Sequence, residues 1–111
     1  MLLVKNNVAD GVLKVELTGS LDVSGSSAIE GAMEEIAAEN NKVVIDLSKV
    51  DFIASIGIRV LVKTAKAVSE KGGKLSVFGP TEEASRVLKT TGLDILLRVA
   101  SDEAGAVAAV S

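Results

Sequence analysis

Hydrophobic and polar residues along this chain follow two different periods, which predict alternating strands and helices. Residues 12–18 alternate every second position, and the Asp10-Gly11 turn signal before them predicts a hairpin with a weaker strand over residues 2–7. Residues 43–47 are apolar except for Asp46, which is typical of a strand buried on both faces. The predicted strands are residues 2–7, 12–18, 43–47, 74–78 and 95–99.

Helical periodicity fills the segments between these strands. The first helix begins near several possible N-caps in residues 24–27, and Gly72-Gly73 ends the second, which covers residues 55–71. A third helix starts at Thr81, and a last, alanine-rich helix follows Ser101. The core stripes are predicted at Ile29, Ala32, Met33 and Ile36 in the first helix, and at Ile58, Leu61, Val62, Ala65 and Val68 in the second.

A hairpin followed by alternating helices and strands predicts an α/β fold. We expect one domain over residues 1–111, with a mixed sheet of four to five strands covered by about four α-helices. Functional sites in such sheets lie beyond the carboxyl ends of the strands. The predicted loop 48–54 and the turn 19–23 are therefore the candidate locations.

Composition excludes several kinds of chemistry. The chain has no Cys, His, Trp or Tyr, so Ser-His-Asp and Cys-His nucleophile systems and thiolate or imidazole metal sites cannot form. A net charge of −3 without basic clusters argues against nucleic-acid binding, and no apolar run reaches the ~20 residues of a membrane span. We expect a cytoplasmic binding or regulatory domain without a cofactor, rather than an enzyme.

Ser55 stands where an apolar strand region ends and an amphipathic helix begins. Its hydroxyl could cap the helix, or it could accept a phosphoryl group at the positive end of the helix dipole. Small neighbours, Ala54 and Gly57, leave the hydroxyl little shielded. A phosphate would add a charge of about −1.5 to −2, which the helix end tolerates and an apolar partner surface does not.

Residues near Ser55 suggest a partner-facing surface. Ile56 and Val60 lie off the predicted core stripe, and they either form an apolar docking patch or pack under a neighbouring helix. Asp22 either caps the first helix or lies near Ser55 at the same sheet edge. Arg59, on the exposed side of the helix, could meet an acidic partner.

Two further carboxylates have structural interpretations. Asp46, at the end of the buried strand, is expected to accept hydrogen bonds from backbone N–H groups of the following loop. Asp51 is expected to be a solvated turn residue. An enzyme that relies on Asp22 and Asp46 is disfavoured because the sequence offers no pair of nucleophile and base.

Together these motifs make the chain resemble the STAS domain of the anti-sigma factor antagonists. The resemblance covers nearly the whole length, and it is carried by a combination of short motifs. They are Gly19-Ser20-Leu21-Asp22, Val44-Ile45-Asp46-Leu47-Ser48, the run from Phe52 to Leu61, Gly72-Gly73-Lys74-Leu75, and residues 87–94.

This resemblance implies a bacterial partner-switching regulator. Its unphosphorylated form would bind an anti-sigma factor that is an ATP-dependent serine kinase, and a serine phosphatase would reverse the modification. Matching the family signature assigns the acceptor to Ser55 and matches the two positions after it to Ile56 and Gly57. With the residues singled out above, the expected partner-binding set is Asp22, Ala54, Ile56, Gly57, Arg59 and Val60. No metal, nucleic acid or membrane insertion is implied, and we expect a monomer or weak dimer.

The sequence departs from the family signature beside the acceptor. Ala54 stands where the family often has Asp, and Ile56 replaces a second hydroxyl residue. Arg59 stands where Gly is frequent. These differences leave open an alternative, a STAS module that is never phosphorylated and serves as a transport accessory subunit or a ligand-sensing scaffold.

Overall fold

One five-stranded sheet organises the protein in the computed structural model, which describes residues 1–111. The strands lie in the sheet in chain order; β1 is antiparallel to β2, and all the other neighbours are parallel. They are β1 (Leu2–Ala9), β2 (Val12–Leu21), β3 (Lys42–Ile53), β4 (Lys74–Phe78) and β5 (Val99–Ala100). The predicted α/β fold with a mixed sheet is confirmed.

Five helices, rather than about four, cover this sheet. The additional one, α4, occupies part of the predicted strand 95–99, because Leu93 and Leu97 face the core at a helical spacing while Ile95 is 83% exposed. The helices are α1 (Val23–Glu39), α2 (Ser55–Glu70), α3 (Glu82–Thr90), α4 (Leu93–Leu96) and α5 (Glu103–Val110). No helix is both long and apolar enough to cross a membrane.

Hydrophobic side chains fill both faces of the sheet. Helices α1, α2 and α3 contribute to the main core on one face. Helix α5 forms a smaller cluster on the other face, with Val12, Val44, Phe78, Ala106 and Val110. Strand β3 is covered on both sides, since Val43 and Ile45 belong to the main core and Val44 to the smaller one. The prediction of a strand buried on both faces is therefore confirmed.

The strands β2 and β3 run further than their sequence patterns predicted. Leu21 is aligned with Ile53 in a parallel pairing, so the predicted break at residues 19–22 and the predicted loop 48–54 are both largely strand. Each strand extends because the other offers backbone partners that neither sequence reveals alone. Register shifts after Glu16 and Gly19 accommodate the irregular pattern.

The two carboxylates of β3 have different environments. Asp46 Oδ1 accepts a hydrogen bond of 2.9 Å from the Ser48 backbone N–H, as expected, although Ser48 lies in the strand rather than in a loop. Asp51 is exposed, as expected, but its expected place in a turn is wrong. It lies within β3, and its carboxylate accepts a 2.6 Å hydrogen bond from Ser20 Oγ on the neighbouring strand.

Glycines end α2 where the sequence predicted. The Gly73 N–H donates to the Val68 carbonyl at 3.0 Å, and the Gly72 N–H donates to the Ser69 carbonyl at 2.9 Å. Gly72 has a φ of +81°, a left-handed conformation that glycine adopts without strain. These bonds satisfy the last carbonyl groups of the helix and direct the chain into β4.

Candidate functional site

The carboxyl ends of β2 and β3 bring the starts of two helices to one edge of the sheet. The Ala54 N–H donates a 2.9 Å hydrogen bond to the Leu21 carbonyl, which joins the two chain segments where they leave the sheet. Asp22 precedes α1 and Ser55 begins α2, so both residues lie at this junction. This is the edge where sites occur in sheets with parallel strands.

Ser55 is the first residue of α2, and its side chain is exposed. The N-cap position belongs to Ala54, and no side chain caps this helix. The alternative that the Ser55 hydroxyl serves as an N-cap is therefore wrong. Because the chain turns from β3 into α2 through one residue, Ser55 is placed inside the first turn, and its hydroxyl is accessible from solvent.

Asp22 caps α1, as one of its two interpretations predicted. Its Oδ1 accepts a 2.7 Å hydrogen bond from the Gly25 N–H, whereas the predicted caps in residues 24–27 lie inside the helix. Gly25 is required here, because a Cβ on it would lie 2.0 Å from the Ser20 carbonyl oxygen. The first turn of α1 thus rests directly on the end of β2 and holds Asp22 at the junction.

Two residues predicted to bind a partner are buried instead. Val60 is only 4% exposed, so the alternative in which it packs under a neighbouring helix is correct. Gly57 is buried against β2, where an added Cβ would lie 2.7 Å from both Cβ and the carbonyl oxygen of Leu21. This close approach places Gly57 on the side of α2 that faces the end of β2. The buried face becomes Gly57, Val60, Leu61, Thr64, Ala65 and Val68, while Ile58 and Val62 are only half-buried.

Three of the predicted partner-binding residues remain near the surface. Ala54 and Ile56 are half-buried beside Ser55, and Arg59 is exposed one turn further along α2. Lys63, in contrast, is tied to α1 by an ion pair of 3.1 Å with Glu34. Arg59 is therefore the basic residue nearest to Ser55 on this helix that is available to another molecule.

Two exposed apolar residues lie at the same junction, and their exposure was not predicted from the sequence. Phe52 is 45% exposed near the end of β3, aligned with Ser20, and Val23 is 67% exposed directly after Asp22. We define the apolar rim as Val23, Phe52 and the half-buried Ile56. Phe52 could have been noticed as one of only two aromatic residues, but its outward orientation depends on the extension of β3.

A separate polar contact anchors the opposite face of the sheet. Lys14 Nζ on β2 lies 2.6 Å from Glu103 Oε1 on α5 and 5.8 Å from the ring centroid of Phe78. The hydrogen bond to Glu103 raises the pKa of Lys14 above its ordinary value, and the nearby carboxylates of Glu16 and Asp46 act in the same direction. This contact joins α5 to β2 beside the apolar cluster that packs the helix on the sheet.

Comparison with known proteins agrees with the fold and the motifs. Residues 4–106 match the family model described as the STAS domain. This chain belongs to the STAS domain family. It is 37% identical over 100 residues to the anti-sigma-F factor antagonist RsfB of Mycobacterium tuberculosis, a match that covers 85% of this chain and 79% of RsfB.

Solved structures of anti-sigma factor antagonists have the same architecture. An antagonist from Mycobacterium paratuberculosis has a TM-score of 0.88 and 28% identity, covering 98% of this chain and 92% of the other. The Bacillus cell fate determinant SpoIIAA in its phosphorylated form has a TM-score of 0.72, covering 93% and 95% of the two chains. At 15% identity the latter shows the fold alone. STAS anti-sigma antagonists are regulatory binding proteins.

Proposed function

We propose that this STAS domain is an anti-sigma factor antagonist that switches partners through phosphorylation of Ser55. The unphosphorylated protein binds an anti-sigma factor serine kinase in the cytoplasm, and phosphorylation releases it until a serine phosphatase removes the group. The observation that carries this proposal is an exposed serine hydroxyl at the start of a helix with no side-chain cap. The 37% identity to RsfB supports the choice of partner class.

The chain supplies only the acceptor in this reaction. Ser55 Oγ attacks the γ-phosphorus of ATP, the bond from that phosphorus to the β–γ bridging oxygen breaks, and ADP leaves. The hydroxyl proton passes to a base that the kinase provides. The exposed position of Ser55 supports this role, since a partner can reach it without unfolding α2.

The apolar rim explains how a phosphate would end binding. A partner that docks on the carboxyl ends of β2 and β3 would meet both the apolar rim and Ser55, because Phe52 lies near the end of β3 and because Val23 and Ser55 begin the helices that follow β2 and β3. A phosphate there adds about −1.5 to −2 charges, and a charge buried without a counterion costs several kcal/mol. Asp22 and Arg59 provide polar groups at the boundary of the rim, where they would orient the partner rather than supply most of the affinity.

The test uses purified protein, ATP and the candidate anti-sigma kinase encoded beside this chain. Intact mass should rise by one phosphoryl group in the parent chain and in Ser69→Ala, a control on an exposed serine of the same helix, but not in Ser55→Ala. Phe52→Ala should weaken kinase binding at least tenfold while leaving the melting temperature almost unchanged, since Phe52 is largely exposed. Phosphorylation that persists in Ser55→Ala would refute the proposal.

Ala54 favours a second candidate function. The residue before the acceptor lacks the carboxylate often found there in the family, so this chain could be a STAS module that binds its partner without being phosphorylated. Such a module would show no change of mass with ATP and kinase. It would also bind its partner equally well as Ser55→Ala and as Ser55→Asp, whereas the switching mechanism requires Ser55→Asp to bind more weakly.

A further inference from the structure

Helix α2 differs from the other long helices in the way it begins. Side chains of Asp22 and Asp102 accept hydrogen bonds from first-turn N–H groups of α1 and α5, at 2.7 Å and 2.8 Å. Helix α2 has Ala54 at this position, no side-chain cap, and no acidic residue in its first turn. The first-turn N–H groups of this 16-residue helix therefore have no side-chain acceptor and carry the positive end of its dipole.

A second unsatisfied group lies against the same turn. Ser26 Oγ is buried, with 1% of the residue exposed, and it has no hydrogen-bond partner. It lies close to α2, because a Cβ placed on Gly57 would be 3.3 Å from it. Buried hydroxyl groups in folded proteins almost always have a partner. The first turn of α2 thus has N–H groups without a side-chain acceptor, and one buried hydroxyl without a partner lies beside it at Gly57.

We propose that a phosphoryl group on Ser55 acts as the missing cap of α2 and stabilises the folded protein. Its oxygens would accept hydrogen bonds from the N–H groups of the first turn, while the Ser26 hydroxyl dipole turns its positive end towards the added charge. This inference rests on Ser55 being the acceptor of the proposed function. It adds that modification stabilises the antagonist itself in addition to ending its interaction.

The physical reason lies in Ala54. A carboxylate at position 54 would occupy the same N–H groups before any modification and would repel a neighbouring phosphate. With alanine there, the phosphoryl group meets N–H groups that have no other side-chain acceptor. The phosphorylated form is then the better-capped form of the protein, so its first turn frays less than that of the unmodified chain.

The experiment separates this inference from the action of any kinase. Phosphoserine is incorporated biosynthetically at position 55, and melting temperatures are compared by circular dichroism at low ionic strength. We expect a rise of about 4 °C over the unmodified chain. Phosphoserine at position 69, in the last turn of α2, is the matched control and should lower the melting temperature, because it meets the negative end of the dipole.

Two variants test the origin of the gain. In Ala54→Asp the phosphate should raise the melting temperature by less than half as much, because the new carboxylate already occupies the N–H groups. In Ser26→Ala the gain should also shrink, because one donor is lost. The inference is overturned if the phosphate gives no rise in melting temperature in the parent chain, or if the rise in both variants is as large as in the parent chain. A kinase assay that fails while phosphoserine still stabilises the protein would instead refute only the proposed function.

Discussion

Replacing Gly57 by alanine tests the close approach of α2 to the end of β2. The new Cβ would lie 2.7 Å from Leu21 Cβ and 2.7 Å from the Leu21 carbonyl oxygen. Neither atom can move away by rotating a side chain, so the helix itself must shift. Such overpacking costs about 3 kcal/mol at the upper end of its usual range, whereas alanine gains about 1 kcal/mol over glycine in a helix. The expected net loss of stability is about 2 kcal/mol.

Gly31→Ala is the matched control for this prediction. Gly31 is exposed within α1, and a Cβ there would meet nothing within 4 Å. The same substitution should therefore raise the free energy of unfolding by about 0.5–1 kcal/mol through helix propensity alone. Urea denaturation followed by circular dichroism measures both. If Gly57→Ala were as stable as Gly31→Ala, the argument that α2 is held against Leu21 by the absence of a side chain would fail.

The remaining predictions concern hydrogen bonding and pH. Ser26→Ala should leave stability unchanged or slightly higher in urea denaturation, because its hydroxyl has no partner. Ser76→Ala should lose about 1–2 kcal/mol, because the buried Ser76 Oγ donates a 2.9 Å hydrogen bond to the backbone carbonyl of Arg98. Equal losses would contradict this difference. The hydrogen bond to Glu103 raises the pKa of Lys14, so its contribution is complete below the unfolded pKa of about 10.4 and disappears as the pH rises through the folded value. When the pH is raised above 10, the melting temperature should therefore fall less in Lys14→Met than in the parent chain, because the variant has no Lys14 contribution to lose.

Much of the fold could be predicted from local patterns. The alternation in β2 and the apolar run of β3 depend on burial of neighbouring side chains, and they identified strands in the right order. Gly72 and Gly73 ended α2 as predicted, since the left-handed turn is a property of glycine itself. The candidate acceptor at Ser55 was also visible, because a small polar residue between a strand and an amphipathic helix is a local feature.

Side-chain exposure around Ser55 could not be predicted in the same way. Helical periodicity allowed either Val60 or Val62 to face the core, and the contact of Gly57 with Leu21 selected Val60. The strand patterns likewise gave no indication that Phe52 belongs to β3, because its partner Ser20 is distant in the sequence. Both outcomes depend on non-local contacts, which change the face that a residue presents without altering the local pattern.

The amino-acid sequence by itself determined the order of strands and helices except for α4, the absence of catalytic imidazole and thiol groups, and a hydroxyl at the start of α2. Tertiary structure decided that this hydroxyl is exposed, that the helix carrying it has no cap, and that Phe52 and Val23 lie at the same sheet edge. The physical reason is range: periodicity and propensity act between residues a few positions apart, whereas exposure depends on how parallel strands and packed helices bring distant segments together.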